Sequence, residues 1–320
     1  MNQIKSLTKH YGSTFLGMMA SLTISIVIVG SMSIAYAQQS FKTPEEAVQA
    51  LASAIKNDWP RGVTTVLGRG GTDIVSSGDE VADEDIRAKF LAAYDAKHQV
   101  TMQGDDKAIL IIGQADYPLP IPLVRKNSVW QFDTVAGRQE ILYRRIGRNE
   151  LDTIQACLAY VDAQNEYSDT DRTGAGMATY AQRIISRPGK KDGLYWPSSD
   201  GSDESPLGEL VAQATAEGYR PGRGRTPFHG YYFKILKKQG VAAPGGAINS
   251  VVQGKMIGGF ALVAYPADYG NSGVMTFLVN HTGQVFQKDL GVRTAKFAER
   301  MVAFNPDQTW SKVIVDAPAQ

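Results

Sequence analysis

The sequence predicts a mixed α+β protein, because helical and strand-forming stretches occupy different parts of the chain. Apolar residues recur at helical spacing after Pro44 and again from Ile86 to Tyr94. The last third of the chain instead contains short strands, among them a hairpin at 273–289 whose turn carries Gly283. Segregated helices and strands favour helices packed on antiparallel sheets.

The length and composition limit the classes of protein to which the chain can belong. Its 320 residues allow two domains of ordinary size. With 43% hydrophobic and 20% charged residues, the composition argues against bulk disorder and against a polytopic membrane protein. The formal net charge of +1 argues against nucleic acid as a partner. The single cysteine excludes an internal disulfide framework and a zinc site with paired cysteines.

Residues 1–37 have the parts of a secretory signal peptide. Two lysines stand in a start without acids, residues 15–34 are almost wholly apolar or small, and Ala35 and Ala37 offer the small side chains that the peptidase needs. We therefore expect cleavage after Ala37 and a location in the periplasm or outside the cell. The alternative is an uncleaved anchor, because the apolar stretch is long enough to span a bilayer. We expect membrane contact only through such a leader.

The first predicted domain spans residues 38–146. Thr43 is a candidate helix N-cap, Pro44 suits the first helical position, and Glu46 is placed to complete a capping box. Strands are predicted at 107–112 and 129–133. The segment 117–122 between them contains three prolines and is predicted to be an extended edge.

The second predicted domain spans residues 147–320. Helical periodicity starts at Thr134, and Gly147 is expected to break that helix near the domain boundary. A short helix is predicted at 177–185, and an exposed polar loop follows at 188–206. The remainder is predicted to form four strands and a final helix, at 231–236, 258–265, 273–279, 284–289 and 294–304.

Five stretches of the chain carry family motifs. They are Phe-Lys-Thr-Pro-Glu-Glu-Ala at 41–47, Arg-Ile-Gly-Arg-Asn-Glu-Leu at 145–151, Gly-Leu-Tyr-Trp-Pro at 193–197, Gly-Tyr-Tyr-Phe at 230–233 and Ala-Tyr-Pro-Ala-Asp-Tyr-Gly at 264–270. With the hairpin that follows, the chain after the leader resembles the bacterial family called domain of unknown function 2950. The resemblance implies an exported bacterial protein and supplies no function.

Each half of the chain also resembles a known shape. Residues 41–133 are similar to cystatin-like and nuclear-transport-factor-like domains, in which helices pack on a curved sheet. Residues 148–291 are similar to the globular part of type IV pilins and pseudopilins, through the Ala-Gln-x-x-Tyr helix end at 163–167 and the Tyr-Gly-x-x-Gly turn at 269–273. These resemblances imply a cystatin-like domain followed by a pilin-like domain with a long helix and an antiparallel sheet. Residues 1–37 lack the prepilin glycine and Phe-Thr-x-x-Glu, so only the globular shape carries over.

Two acidic loops are weak candidates for calcium sites. Asp169 and Asp171, two residues apart, offer carboxylate oxygens of the kind that calcium binds. The twelfth position of that loop is Tyr180, where a calcium loop needs a bidentate glutamate, so a solvated helix end is the alternative. Asp200 and Asp203 form the second candidate, whose alternative is a flexible turn that caps the next helix. We expect no other metal and no cofactor.

We assign no catalytic residue, because no nucleophile, acid and base occur at a local spacing. His229, beside two arginines, is a candidate base, and it lies too far in sequence from the other histidines for a local zinc motif. Cys157 lies in the middle of a predicted helix, where cysteine packs as a small hydrophobe. Distant residues can still converge in space, so a periplasmic hydrolase with scattered catalytic residues is an alternative.

Tyr195 and Trp196 lie in a polar loop with no local pattern that demands a core residue. Such aromatics either anchor a partner or glycan, or pin the loop onto the domain. The sequence therefore predicts an exported cell-envelope protein that acts as a non-catalytic binding or accessory module for an envelope protein or polymer. A small-ligand carrier is a further alternative, with a dry cavity on the first sheet lined by Trp130 and Phe132.

Overall fold

Two five-stranded antiparallel sheets, connected by one long helix, organise the chain. The computed structural model describes residues 38–174, 176–198, 204–220 and 226–314. The predicted leader at 1–37 and the calcium candidates Asp200 and Asp203 lie outside the described residues. The architecture is mixed α+β, as the sequence predicts.

The helices and strands have the following bounds. The α-helices are α1 (Pro44–Asn57), α2 (Arg61–Leu67), α3 (Gly71–Val75), α4 (Glu80–Ala96), α5 (Thr134–Ser168), α6 (Gly208–Ala216) and α7 (Thr294–Arg300), and a 3₁₀ turn at Gly291–Arg293 precedes α7. The strands are β1 (His98–Met102), β2 (Lys107–Ile112), β3 (Tyr117–Pro118), β4 (Leu123–Lys126), β5 (Val129–Phe132), β6 (Tyr231–Leu236), β7 (Lys238–Gln239), β8 (Ile248–Asn249), β9 (Val251–Val252), β10 (Lys255–Met256), β11 (Ala261–Pro266), β12 (Met275–Asn280), β13 (Phe286–Asp289) and β14 (Ser311–Lys312).

The N-terminal sheet has the order β1-β2-β4-β5, with the proline-rich β3 paired to β2. Ala108, Leu110 and Ile112 alternate along β2 and face a core shared with α1 and α2. One covered face explains this spacing, because successive side chains of a strand point to opposite faces. Helix α1 begins as predicted: Thr43 Oγ1 accepts a 3.1 Å hydrogen bond from Glu46 N, and the Glu46 carboxylate accepts one of 2.9 Å from the preceding Lys42 N–H.

The C-terminal sheet has the order β14-β13-β12-β11-β6. Strands β12 and β13 form the predicted hairpin, in which Leu278 pairs with Phe286. Strand β11 is buried along its whole length. Leu262 and Ala264 belong to the apolar cluster that contains α5, whereas Val263 belongs to the cluster that contains α7. Burial on both faces explains why β11 is continuously apolar.

Helix α5 runs through Gly147 without a break, so the predicted break is wrong. Among the described residues, no heavy atom lies within 4 Å of where a Gly147 Cβ would be, which places this residue on an open side of the helix. One glycine inside a helix costs only about 1 kcal/mol relative to alanine. The packing of Leu142 before it and Ile154 after it outweighs that cost, because both side chains are buried.

The segment at 177–185 is not helical, so the helix predicted there is also wrong. Tyr180 N donates to Met256 O over 2.8 Å, and Ala181 N donates to Gln164 Oε1 over 2.9 Å. These distant partners satisfy the backbone while Ala181 packs in the core. The apolar spacing of the segment therefore reflects tertiary packing. The final helix is likewise shorter than predicted, since it ends at Arg300 and β14 follows it.

The division into domains 38–146 and 147–320 stays a prediction. Helix α5 contributes to both halves, because Ile141 packs against the N-terminal apolar cluster and Tyr160 belongs to a C-terminal one. All described residues belong to one compact unit. Within the described ranges, no helix is both long enough and apolar enough to cross a membrane.

Candidate functional site

A cavity of about 480 Å³ lies between helix α4 and the rest of the N-terminal half. Most of its lining side chains are apolar, among them Leu51, Ile55, Trp59, Phe90, Ile112 and Ile141. Small-molecule sites in proteins are usually cavities of about 300–1,000 Å³ with mainly apolar walls. The size and the lining therefore lie within the range of small-molecule sites.

Helix α4 covers this cavity without filling it. Its apolar stripe of Ile86, Phe90 and Ala93 lines the cavity at helical spacing. No residue of α4 is fully buried, and Ile86 is 41% exposed. The stripe thus leaves apolar surface that a bound molecule would cover.

The charged side chains that line the cavity are all cationic. No acid occurs among the described lining residues, whereas five cations do, namely Arg87, Lys89, Arg144, Arg145 and Arg148. Three of these cations pair with an acid one turn earlier on the same helix, in the pairs Glu84–Arg87, Asp85–Lys89 and Glu140–Arg144. Arg148 is exposed and has no ion pair with any described residue. Arg148 is therefore the cation best placed to receive an anion from outside.

Arg145 is the buried cation of the site. Its Nη1 donates to Asp73 O over 2.9 Å and to Asn271 Oδ1 over 2.5 Å, and its Nη2 donates to Ile74 O over 2.7 Å. These bonds join α3 to a turn of the C-terminal half. Burial lowers the pKa of the Arg145 guanidinium from its usual value. Its Nε is buried and has no hydrogen-bond partner in the described structure.

A smaller polar cleft of about 190 Å³ adjoins the cavity. The two share the side chains Ile86, Lys89, Arg145 and Arg148, so we treat them as two parts of one candidate site. The cleft differs from the cavity in containing acids, namely Asp85, Asp152 and Glu217. We call the apolar part the α4 cavity and the polar part the His229 cleft.

His229 lies between two carboxylates in the His229 cleft. Its Nδ1 is 3.0 Å from Asp152 Oδ2, on α5, and its Nε2 is 3.1 Å from Glu217 Oε2, at the end of α6. Both ring nitrogens therefore face a carboxylate in this structure, and a role of His229 as a base stays a prediction. The arrangement holds the end of α6 against α5. Among the described residues, no group of three or more His, Cys, Asp or Glu side chains could hold a metal ion.

Asp79 and Tyr219 connect the two halves beside this cleft. Asp79 Oδ2 accepts hydrogen bonds from Tyr219 Oη at 2.7 Å and from Gly230 N at 2.9 Å. Asp79 Oδ1 accepts from Val81 N and Ala82 N at 3.2 Å and so caps α4. Burial, and then the Asp79 charge, raise the pKa of Tyr219 above its usual value. This carboxylate thus fixes the start of the helix that covers the α4 cavity.

The Asp169 and Asp171 carboxylates lie apart from this site. Asp169 is the C-cap of α5. Asp171 Oδ1 accepts from Thr173 N over 3.2 Å, and its Oδ2 accepts from Gly176 N over 2.6 Å. Both oxygens of Asp171 therefore already stabilise the loop, and calcium binding there stays a prediction.

Trp196 is in the core rather than at the surface. Its side chain is only 5% exposed and belongs to the same apolar cluster as Tyr160. Tyr195 is partly buried, and its backbone bonds with Ile184 O and Ser186 N at 2.9 and 2.8 Å. This location agrees with the alternative that these aromatics pin the loop onto the domain. Partner binding at Tyr195 and Trp196 stays a prediction.

Sequence reasoning missed the residues that shape the site. Trp130 and Phe132, predicted to line a carrier cavity, are buried core residues outside the described lining of the α4 cavity. The sequence did allow one prediction about the site: Arg148 and Asp152 are four residues apart, and this spacing places them on one side of a helix. Nothing in the sequence indicates that α4 leaves space beneath it.

The fold and the site define a mixed α+β protein with a mainly apolar cavity of ligand size. The chain belongs to the family described as "Protein of unknown function (DUF2950)", which matches residues 38–313. No curated protein and no solved structure gave a significant match. The cystatin-like and pilin-like resemblances therefore stay predictions.

Proposed function

We propose that this protein is an exported, non-catalytic binding protein for a small amphipathic anion. The apolar part of the ligand occupies the α4 cavity, and its acidic group meets Arg148 at the junction with the His229 cleft. The observation that carries this proposal is the lining of the α4 cavity, which is mainly apolar and whose charged members among the described residues are all cationic.

Burial of the apolar part of the ligand supplies most of the expected affinity. Each Å² of apolar surface removed from water contributes about 25 cal/mol. Trp59 and Phe90 provide large apolar walls for this contact. A guanidinium adds charge-assisted hydrogen bonds to a carboxylate, phosphate or sulfonate, often two at once. Arg148 is therefore expected to orient the ligand and to select its charge.

The reactive groups support binding over catalysis. Cys157 is fully buried, and burial raises the pKa of its thiol to about 12, so the nucleophilic thiolate is scarce near neutral pH. His229 has both ring nitrogens against carboxylates. These features disfavour the hydrolase alternative for the described residues.

The export part of the proposal depends on the predicted leader. Cell fractionation followed by N-terminal sequencing of the purified protein tests it. We expect the envelope or secreted fraction to contain a chain that begins at Gln38. A full-length chain in the cytosol would contradict export without affecting the ligand proposal.

A displacement assay tests the ligand proposal. The fluorescent anion 1-anilinonaphthalene-8-sulfonate is bound first, and dodecanoate or dodecylammonium is then added. We expect dodecanoate to displace the dye at concentrations about tenfold lower than dodecylammonium, since one charge-assisted contact is worth roughly 1.5–3 kcal/mol. Equal displacement by the two amphiphiles would contradict the proposal.

A pair of tryptophan substitutions locates the binding. Ala93 lines the α4 cavity, whereas its neighbour Ala92 is exposed. We expect Ala93→Trp to weaken dodecanoate binding at least about tenfold, because the indole fills the cavity, and Ala92→Trp to leave it unchanged. Thermal melts of both variants confirm that they are folded. Unchanged binding by folded Ala93→Trp would place the ligand elsewhere.

A further inference from the structure

Apolar, cationic and anionic side chains follow one another along the site, and this order indicates a more specific ligand. We infer that the site takes a single-chain zwitterionic lipid, whose anionic group adjoins the chain and whose cationic group lies beyond it. This inference rests on the proposed function and adds the cationic group, which the α4 cavity alone does not require.

Three residues of helix α5 follow this order along the helix axis. Ile141 lines the α4 cavity, Arg148 lines both parts of the site, and Asp152 lines only the His229 cleft. With a rise of 1.5 Å per residue, Arg148 lies about 10 Å along the axis from Ile141, and Asp152 about 6 Å further. Apolar, cationic and anionic surfaces therefore succeed one another, and they match a chain, an anion and a cation in the same order.

Among the described residues of the His229 cleft, Asp152 and Glu217 carry more negative charge than the ring of His229 can offset. Asp152 and Glu217 share the single imidazole of His229, so one carboxylate charge remains even when the ring is protonated. Arg148 lies one turn from Asp152 on the same helix and offsets part of that charge without forming an ion pair with it. A ligand anion on Arg148 removes this compensation, and an ammonium beside Asp152 restores it.

The charge of Arg145 and the size of the α4 cavity also fit a single-chain lipid with an anionic group. Arg145 lines both parts of the site, is more than nine-tenths buried, and has a buried Nε without a partner among the described residues. Its guanidinium adds positive charge to the part of the site that Arg148 also lines, where the ligand anion is expected. The cavity of about 480 Å³ lies in the lower half of the usual range for ligand sites, which favours one hydrocarbon chain over two.

Calorimetric titration with three probes of one chain length tests the inference. The probes are the fatty acid, a lysophosphatidylglycerol and a lysophosphatidylethanolamine, each used below its micelle concentration. We expect the ethanolamine lipid to bind about tenfold more tightly than the glycerol lipid, because only its ammonium finds the acids of the His229 cleft. Equal binding of the three probes would overturn the inference and leave the proposed function standing. Absence of binding by all three would overturn both.

Substitutions separate the two charge contacts. We expect Asp152→Asn to abolish the preference for the ethanolamine lipid over the glycerol lipid. Arg148→Gln should weaken all three probes. Asp162→Asn, an exposed acid on the same helix, is the matched control and should change nothing. Glu217→Gln provides a second test of the acids if Asp152→Asn does not fold. A preference that survives in folded Asp152→Asn or Glu217→Gln would overturn the inference.

Discussion

Tyr219 donates its hydroxyl hydrogen to the buried carboxylate of Asp79 over 2.7 Å, and this bond joins residues 140 positions apart in the sequence. Asp79 is only 1% exposed and also caps α4, so one carboxylate serves the helix start and the segment that leads to β6. A carboxylate at such a depth is tolerated only because its oxygens are hydrogen-bonded. The position of α4 over the cavity therefore depends on a residue from the far half of the chain.

Removal of the Tyr219 hydroxyl should destabilise the protein. We expect Tyr219→Phe to lower the free energy of unfolding by about 2 kcal/mol, because a hydrogen bond to a buried charge is lost. Urea denaturation measures this change. Tyr143→Phe is the control, since Tyr143 is 63% exposed, and it should stay within about 0.5 kcal/mol of the parent protein. Equal stability of the two variants would show that the Asp79–Tyr219 bond contributes nothing.

Stability should fall at alkaline pH. Burial raises the pKa of Tyr160, Tyr219 and Tyr231 above the ordinary value of 10.0, and the adjacent carboxylates Asp79 and Glu150 add to the rise for Tyr219 and Tyr231. Above that pH the unfolded chain releases these phenolic protons while the folded chain keeps them, so ionisation favours unfolding. Each such tyrosine lowers the free energy of unfolding by about 1.4 kcal/mol per pH unit there.

Urea titrations between about pH 8 and about pH 11 measure this dependence. We expect the Tyr219→Phe variant to show a shallower decline than the parent protein, because one of the three groups is gone. A free energy of unfolding that stays level across this range would contradict the raised pKa values.

Gly273 in the Tyr-Gly-x-x-Gly turn should tolerate no side chain. A Cβ there would collide with the hydroxyl and ring of Tyr231, which is fully buried and donates to Met275 O over 3.0 Å. We expect Gly273→Ala to cost about 2–3 kcal/mol, as overpacking of a core does. Thermal unfolding measures the loss. An unchanged melting temperature would mean that Tyr231 moves without cost.

Gly147→Ala should have the opposite effect. Position 147 is inside α5, and an added Cβ would meet no heavy atom of the described structure within 4 Å. We expect a gain of about 0.5–1 kcal/mol, because alanine restricts the unfolded chain and favours the helix. The same thermal measurement serves both glycine variants. A lower melting temperature for Gly147→Ala would argue against a continuous α5.

Local patterns predicted the elements whose stability is itself local. The Thr43 cap, strand β2 and the β12–β13 hairpin follow from residues that are close in sequence. The break at Gly147 and the helix at 177–185 were wrong, because packing against distant residues decides both. Tyr180 pairs its backbone with Met256, and no pattern within the segment contains that information.

The sequence by itself determined the α+β class, the family and the helices and strands with strong local signals, because caps, periodicity and turn residues act over a few neighbouring positions. Only the tertiary structure decided that α4 stands over a cavity, that Arg148 lines it, and that Trp196 belongs to the core. The physical reason is that a cavity is the space left between elements. Its size depends on how separate helices and strands pack together, and contacts such as Asp79–Tyr219 set that packing across the length of the chain.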